Sequence, residues 1–145
     1  MKKEVLLTIR AEQRFREEEP ETTELVTEGQ LSVRGSRVEF SYEESELTGL
    51  TGTRTVFCID DGRVILTRTG GVESRMVFSV GQEDRSLYDI GCGALMVAVR
   101  AERISSTVGE NGGVLEVSYG ITIEEETAGT IDYRIEAVPK KGETL

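Results

Sequence analysis

Hydrophobic and polar residues alternate one by one along most of the chain. In the segment VEFSYE (38–43), Val38, Phe40 and Tyr42 alternate with polar neighbours. Because successive side chains of a β-strand point to opposite faces, this pattern predicts a strand with one buried face. Similar alternation recurs near 5–12, 25–33, 64–69, 76–80, 95–101, 115–124 and 131–137. No segment of ten or more residues has helical spacing, so an all-β protein is predicted.

Turn residues separate the predicted strands at regular intervals. Examples are DDG (60–62), GG (70–71) and ENGG (110–113), which suit tight hairpins. Strands in sequential hairpins form an antiparallel meander. A sheet with one apolar face must stack on another sheet or close on itself, and closure leaves no exposed edge. We therefore expect a single antiparallel up-and-down β-barrel of about 8–10 strands.

The length of 145 residues suits one domain. We expect one barrel domain over 1–145, with its core at 3–138 and a frayed tail at 139–145, because Pro139 ends the last alternating segment. The apolar run GALMVAV (93–99) is far shorter than the ~20 residues of a membrane span. No long apolar stretch follows the first lysines, so we expect a cytoplasmic protein.

Charge and composition argue against several classes of function. The net charge is −10, whereas a nucleic-acid binder needs a basic face. The chain has no histidine, which excludes histidine-based catalysis and histidine-ligated metals. Cys58 and Cys92 do not form a metal motif, and we expect both to be reduced core residues, with a disulfide or a reactive thiol as the alternative. The acidic run 16–24 is interpreted as a solvated loop, with a cation- or partner-binding patch as the alternative.

Five segments along the chain occur in a characteristic order. They are YEESELTGLTGTRT (42–55), LTRTGG (66–71), MVFSVG (76–81), YDIGCG (88–93) and LEVSYGI (115–121). In this order they resemble the YwiB-like family of uncharacterised bacterial proteins. The resemblance implies a calycin-like or lipocalin-like barrel and implies no activity. The segment DIGCG (89–93) departs from the family pattern, which usually has Thr-Pro and an aromatic residue before the glycine.

A candidate site follows from continuing the alternation past Tyr42. The next residue on the apolar face is Glu44, and a buried carboxylate is costly unless it is paired. By the same parity, Arg68 and Arg103 face inward and are candidate partners. The alternation also places Tyr119 and Tyr133 on inward faces, where their hydroxyls need hydrogen-bond partners. The predicted interior cluster at one end of the barrel comprises Tyr42, Glu44, Arg68, Arg103, Tyr119 and Tyr133.

Three interpretations of this cluster are open. It binds a small polar or anionic ligand, because arginine donors suit carboxylates and phosphates. Alternatively, a Glu–Arg pair closes the end of a barrel filled by its own side chains. In the third, the positions lie past the strand ends and are solvated, since one bulge reverses the direction of every later side chain.

The leading functional hypothesis is a non-enzymatic binding barrel. The alternative is a structural or protein-interaction barrel with no small-molecule ligand. An enzyme is not expected, because the residues form no known catalytic arrangement. We expect no cofactor, no metal, and no nucleic-acid or membrane partner; a monomer and a homodimer are both open.

Overall fold

The computed structural model describes residues 2–15, 18–44, 51–71, 73–89 and 93–140. These ranges contain ten β-strands and no helix, which confirms the all-β prediction. The strands are β1 (Lys2–Phe15), β2 (Glu21–Arg34), β3 (Arg37–Glu43), β4 (Thr53–Asp60), β5 (Arg63–Gly70), β6 (Ser74–Phe78), β7 (Glu83–Asp89), β8 (Ala94–Ser106), β9 (Gly113–Ile123) and β10 (Glu126–Pro139). It follows that no helix in the described ranges could cross a membrane.

The strands form one antiparallel sheet that curls into a nearly closed barrel. Their order is β6-β5-β4-β3-β2-β1-β10-β9-β8-β7, so consecutive strands are neighbours and β1 pairs with β10. The two edge strands, β6 and β7, follow one another in sequence. Single bridges at Ser79↔Gln82 and Val80↔Ala101 adjoin these edges. The predicted up-and-down barrel is confirmed.

Apolar side chains fill one end and the middle of the barrel. At the end where β3 and β5 begin, which we call the closed end, Val38, Val64 and Phe78 are buried. Farther in, the Phe40 and Phe57 rings stack with their centroids 5.2 Å apart. This packing excludes water from the closed half. The interior pocket described below lies toward the opposite, open end, where β3 and β5 finish.

A register shift in β8 corrects one of the predicted directions. The pairing with β9 shifts between Ala101 and Arg103, after which Arg103 is opposite Ser118 and Ile104 packs against the core. Arg103 is therefore exposed on the outer face rather than turned inward. One extra residue in a strand reverses the alternation, and the sequence pattern alone carried no sign of it.

Two predicted boundaries also differ from the structure. The acidic run 16–24 is predicted to be a loop, but β2 already begins at Glu21. Residues 21–24 are therefore exposed strand, and of the described residues in the run only 18–20 lie outside a strand. β10 extends through Pro139, and Lys140 Nζ donates to Glu28 Oε1 at 2.8 Å. The tail expected from 139 onward therefore does not include these two residues. Residues 141–145 lie outside the described ranges.

Candidate functional site

Glu44 lies at the open end, one residue beyond β3. Its backbone N–H donates to the Thr53 carbonyl oxygen at 2.8 Å, so pairing with β4 continues past the end of the strand. This contact keeps the alternation in phase and turns the Glu44 side chain inward. The residue is 7% exposed, so the carboxylate is inside the fold although the strand has ended.

Two polar side chains hold the Glu44 carboxylate. Thr55 Oγ1 donates to Glu44 Oε2 at 2.5 Å, and Arg68 Nε lies 3.8 Å from the same oxygen. Thr55 and Arg68 are cross-strand partners on β4 and β5, and Thr55 is also opposite Tyr42 on β3. The side chain of Arg68 is 13% exposed, compared with 2% for Glu44. The ion pair therefore lies at the boundary between the packed core and the open end.

Tyr42 is buried beside this ion pair. Burial raises the pKa of the Tyr42 phenol, and electrostatic interactions with Glu44 and Tyr133 raise it further, whereas the positive charge of Arg68 opposes the shift. The phenol consequently stays protonated well above neutral pH and acts as a hydrogen-bond donor. The open end thus contains a carboxylate, a guanidinium and a phenol in one small region.

A pocket of about 620 Å³ adjoins these groups. Its volume is within the roughly 300–1,000 Å³ range of small-molecule sites. β1 and β2 supply an apolar wall of Ile9, Ala11 and Leu25. The polar part of the lining consists of Tyr42 on β3, Glu44 just after it, Arg68 on β5 and Tyr133 on β10. Gln13, Thr23 and Glu24 also line the pocket.

The two remaining residues of the predicted cluster do not line this pocket. Tyr119 lies beneath it, with its ring centroid 6.3 Å from that of Tyr133 and 4.6 Å from that of Phe78. It is 5% exposed and belongs to the core. Arg103 is on the outer face of β8, beyond the bulge. Four of the six predicted residues are therefore brought together.

Sequence reasoning missed the main hydrogen-bond donor to Glu44 and one wall of the pocket. Thr55 shares the inward parity of Phe57, a signal that could have identified it. The inward parity of Ile9 and Ala11 was visible in the sequence. Their position across the pocket from Arg68 depends on how the whole sheet closes, which no local pattern reveals.

Cys58 is a free, buried thiol, but it does not face the barrel interior. It lies on the outer side of β4, where its Sγ accepts a hydrogen bond from Arg37 Nε at 3.2 Å. Cys92 lies outside the described residues. Among the residues that are described, no three Cys, Asp or Glu side chains are grouped to hold a metal ion.

Comparison with known proteins identifies the family of this barrel. The family described as "Domain of unknown function (DUF1934)" matches residues 7–135. The chain belongs to the DUF1934 family. This DUF1934 chain is 24% identical over 127 residues to "Uncharacterized beta-barrel protein YwiB" of Bacillus subtilis (strain 168). The alignment covers 87% of this chain and 88% of that protein.

A solved structure resembles the DUF1934 barrel along nearly its whole length. The crystal structure of the ywiB protein from Bacillus subtilis superposes with a TM-score of 0.83 at 20% sequence identity, covering 97% of this chain and 94% of that one. Together with the family match, this confirms the resemblance to the YwiB-like family and the barrel fold. At this level of identity, the structural likeness describes the fold alone.

The pocket of the DUF1934 barrel combines an ion pair with an apolar surface. Glu44 Oε2 accepts a hydrogen bond from Thr55 Oγ1 and lies within ion-pair distance of Arg68 Nε. The described pocket wall contains no thiol and no amine to act as a nucleophile. Its polar groups recognise charge and hydrogen bonds, and its apolar wall can cover a hydrocarbon.

Proposed function

We propose that this DUF1934 barrel is a non-enzymatic cytoplasmic protein that binds a small polar ligand in the open-end pocket. The single observation that carries the proposal is the buried Glu44–Arg68 pair on the wall of a pocket of about 620 Å³. A reducing compartment suits the free thiol of Cys58.

The charges of the pocket limit the ligand to a neutral polar molecule or one with a single negative group. The guanidinium of Arg68 suits a carboxylate or phosphate oxygen, and Tyr42 adds a phenol donor. Glu24 and Glu44 also line the pocket and repel an anion with several charges. The apolar wall favours a ligand with a short hydrocarbon portion beside its polar group.

The alternative function is a structural or protein-interaction barrel without a small-molecule ligand. The stacked Phe40 and Phe57 rings and the packed closed end support it, because the middle of the barrel is already filled by its own side chains. In that case the Glu44–Arg68 pair only covers the end of the core. Binding measurements separate the two functions.

A thermal-shift screen of a few hundred metabolites, weighted toward monocarboxylates and monophosphates, tests the proposal. A ligand at a hundredfold excess over its Kd stabilises the protein by about 2.7 kcal/mol, which raises the Tm by several degrees. We expect one chemical class to give a concentration-dependent shift that Arg68→Ala abolishes.

Arg103→Ala is the matched control, because it removes the same type of side chain from the outer face. It should leave the ligand-induced shift unchanged. If no class shifts the Tm, or if the shift persists in Arg68→Ala, the pocket is not the binding site. The self-filled barrel then becomes the better description.

A further inference from the structure

A second concave site lies on the outer face of strands β1–β4, on the other side of the barrel wall. It has a volume of about 380 Å³. Each of the four strands contributes one basic side chain to it, and among the described residues that line it Glu39 alone is acidic. In a chain whose net charge is −10, this concentration of positive charge is a marked local reversal. We call it the basic groove, defined by Lys2, Arg34, Arg37 and Arg54.

The register of β2 and β3 places two like charges directly opposite each other. Arg34 and Arg37 are cross-strand partners at the end of the hairpin, so their side chains emerge on the same face. Like charges opposite one another destabilise a sheet. Two arginines in this arrangement favour an anion between them, because a shared counter-charge relieves their repulsion.

Two of the arginines are oriented by hydrogen bonds. Arg37 Nε donates to the Cys58 Sγ at 3.2 Å, and Arg54 Nη2 donates to the Ser41 Oγ at 3.0 Å. Each of these guanidinium groups also forms an ion pair with a carboxylate. The carboxylate of Glu39 is 3.8 Å from Arg37 Nη2, and that of Glu43 is 3.4 Å from Arg54 Nη1.

The other two cations lack such partners. Within the part of the chain that the structure describes, neither Lys2 nor Arg34 forms an ion pair or a side-chain hydrogen bond. Ser32, Ser41 and Gln30 add hydroxyl and amide groups to the same lining. The groove thus combines two cations without a carboxylate partner in the described residues, two arginines in ion pairs, and neutral hydrogen-bonding groups in a concave space. The positive charges outnumber the carboxylates, which suits an oxyanion.

We propose that the basic groove binds a small multivalent oxyanion, either a phosphorylated or a polycarboxylated metabolite. Its volume of about 380 Å³ suits a small molecule rather than a polymer. The open-end pocket differs from it in charge, because Glu24 and Glu44 there repel multivalent anions. The two sites therefore select different ligands and can be tested independently.

Isothermal titration calorimetry with pyrophosphate and with citrate at low ionic strength tests the groove. We expect saturable binding of one anion per chain for at least one probe, weakened as salt screens the charges. The double variant Arg34→Glu/Arg37→Glu should weaken binding at least tenfold, because each arginine supplies a charge-assisted hydrogen bond. The double variant Arg100→Glu/Arg103→Glu makes the same charge change on exposed positions of β8 and should leave the affinity within about twofold.

The open-end variant Arg68→Ala separates this proposal from the proposed function, since it should leave pyrophosphate or citrate binding intact. Preference for one probe assigns phosphate or carboxylate chemistry to the groove. NMR titration of the wild-type protein provides a test that needs no variant, with amide shifts expected at Ser32, Glu39 and Ser41. Absence of saturable binding by both probes, equal binding by the double variant, or shifts scattered over the barrel would each overturn the proposal.

Discussion

At the closed end, β3 and β5 turn Val38 and Val64 inward, whereas toward the open end the same two strands bring Tyr42 and Arg68 inward. Glu44 continues this change just beyond β3. The pairing of β3, β4 and β5 is regular at both ends, so the difference between the ends of these strands comes from the side chains and not from the backbone. Along these strands, the inward-facing residues change from aliphatic to ionisable within a few positions. This change marks the end of the packed core of the barrel.

The two ends also differ in how they contribute to stability. Burying apolar side chains at the closed end is directly favourable. A buried ion pair such as Glu44–Arg68 gains little net free energy, because desolvation offsets the attraction between the charges. Removing one partner is nevertheless costly, since it leaves the other charge in a poorly solvated position. The open end is thus sensitive to mutation without being a major source of stability.

The largest expected effect is in the filled part of the barrel. Phe40→Ala should lower the free energy of unfolding by about 3–5 kcal/mol, because Phe40 is fully buried and stacks on Phe57. Urea denaturation followed by fluorescence or circular dichroism measures this change. A loss below about 1 kcal/mol would mean that the middle of the barrel can collapse around the cavity, and the contrast between the two ends would weaken.

The next effect concerns the ion pair. Glu44→Ala should cost about 2–4 kcal/mol, because Arg68 loses the carboxylate beside it. The neighbouring variant Glu43→Ala is the matched control, and it should change stability by less than about 0.5 kcal/mol because that side chain is exposed.

The double variant Glu44→Ala/Arg68→Ala should lose less stability than the sum of the two single variants, because Glu44 and Arg68 interact directly. Chemical denaturation of the single and double variants completes this cycle. If Glu44→Ala is as mild as Glu43→Ala, the open end is solvated and does not contain a buried pair.

The smallest effect is a change in stability with pH at the alkaline end. The pKa of Tyr42 is higher in the folded protein than its ordinary value of 10.0, so the folded state holds the proton more tightly. This contribution is complete below the ordinary pKa and is lost as the pH rises through the folded-state pKa. Stability should fall above about pH 10 by at most about 1.4 kcal/mol per pH unit.

Tyr42→Phe should have a shallower decline over the same range, measured by urea denaturation at several pH values. Below about pH 9, where the phenol is protonated in both states, the difference between variant and wild type should be constant. Parallel curves through pH 11 would show that the Tyr42 phenol is not protected by burial.

Most of the barrel could be predicted because its strands are regular. Alternation indicated the inward direction of Glu44 and Arg68, and the sequential turns indicated a meander. The same reasoning failed for Arg103, because a β-bulge between Ala101 and Arg103 adds one residue to β8. The hydropathy of the sequence does not show where this bulge lies. The alternation of residues therefore predicts which side chains face inward only as far as the next β-bulge.

The basic groove could not be predicted in this way. Arg34 and Arg37 are close in sequence, but Lys2 and Arg54 join them only through the pairing of β1 with β2 and of β3 with β4. The net charge of −10 led us to expect no basic face. A total charge, however, does not describe how charges are distributed over the surface. A site assembled across strands requires the register of all of them.

The pairing of β1 with β10 has a consequence for how the protein is made. β1 can bond to β2 soon after both are synthesised, but its other edge has no partner until residues 126–139 have left the ribosome. Contacts between such distant segments slow folding, because a long loop must close before they form. We expect the nascent chain to expose an unpaired β1 edge throughout translation, so chaperone demand should be greatest just before the last strand emerges.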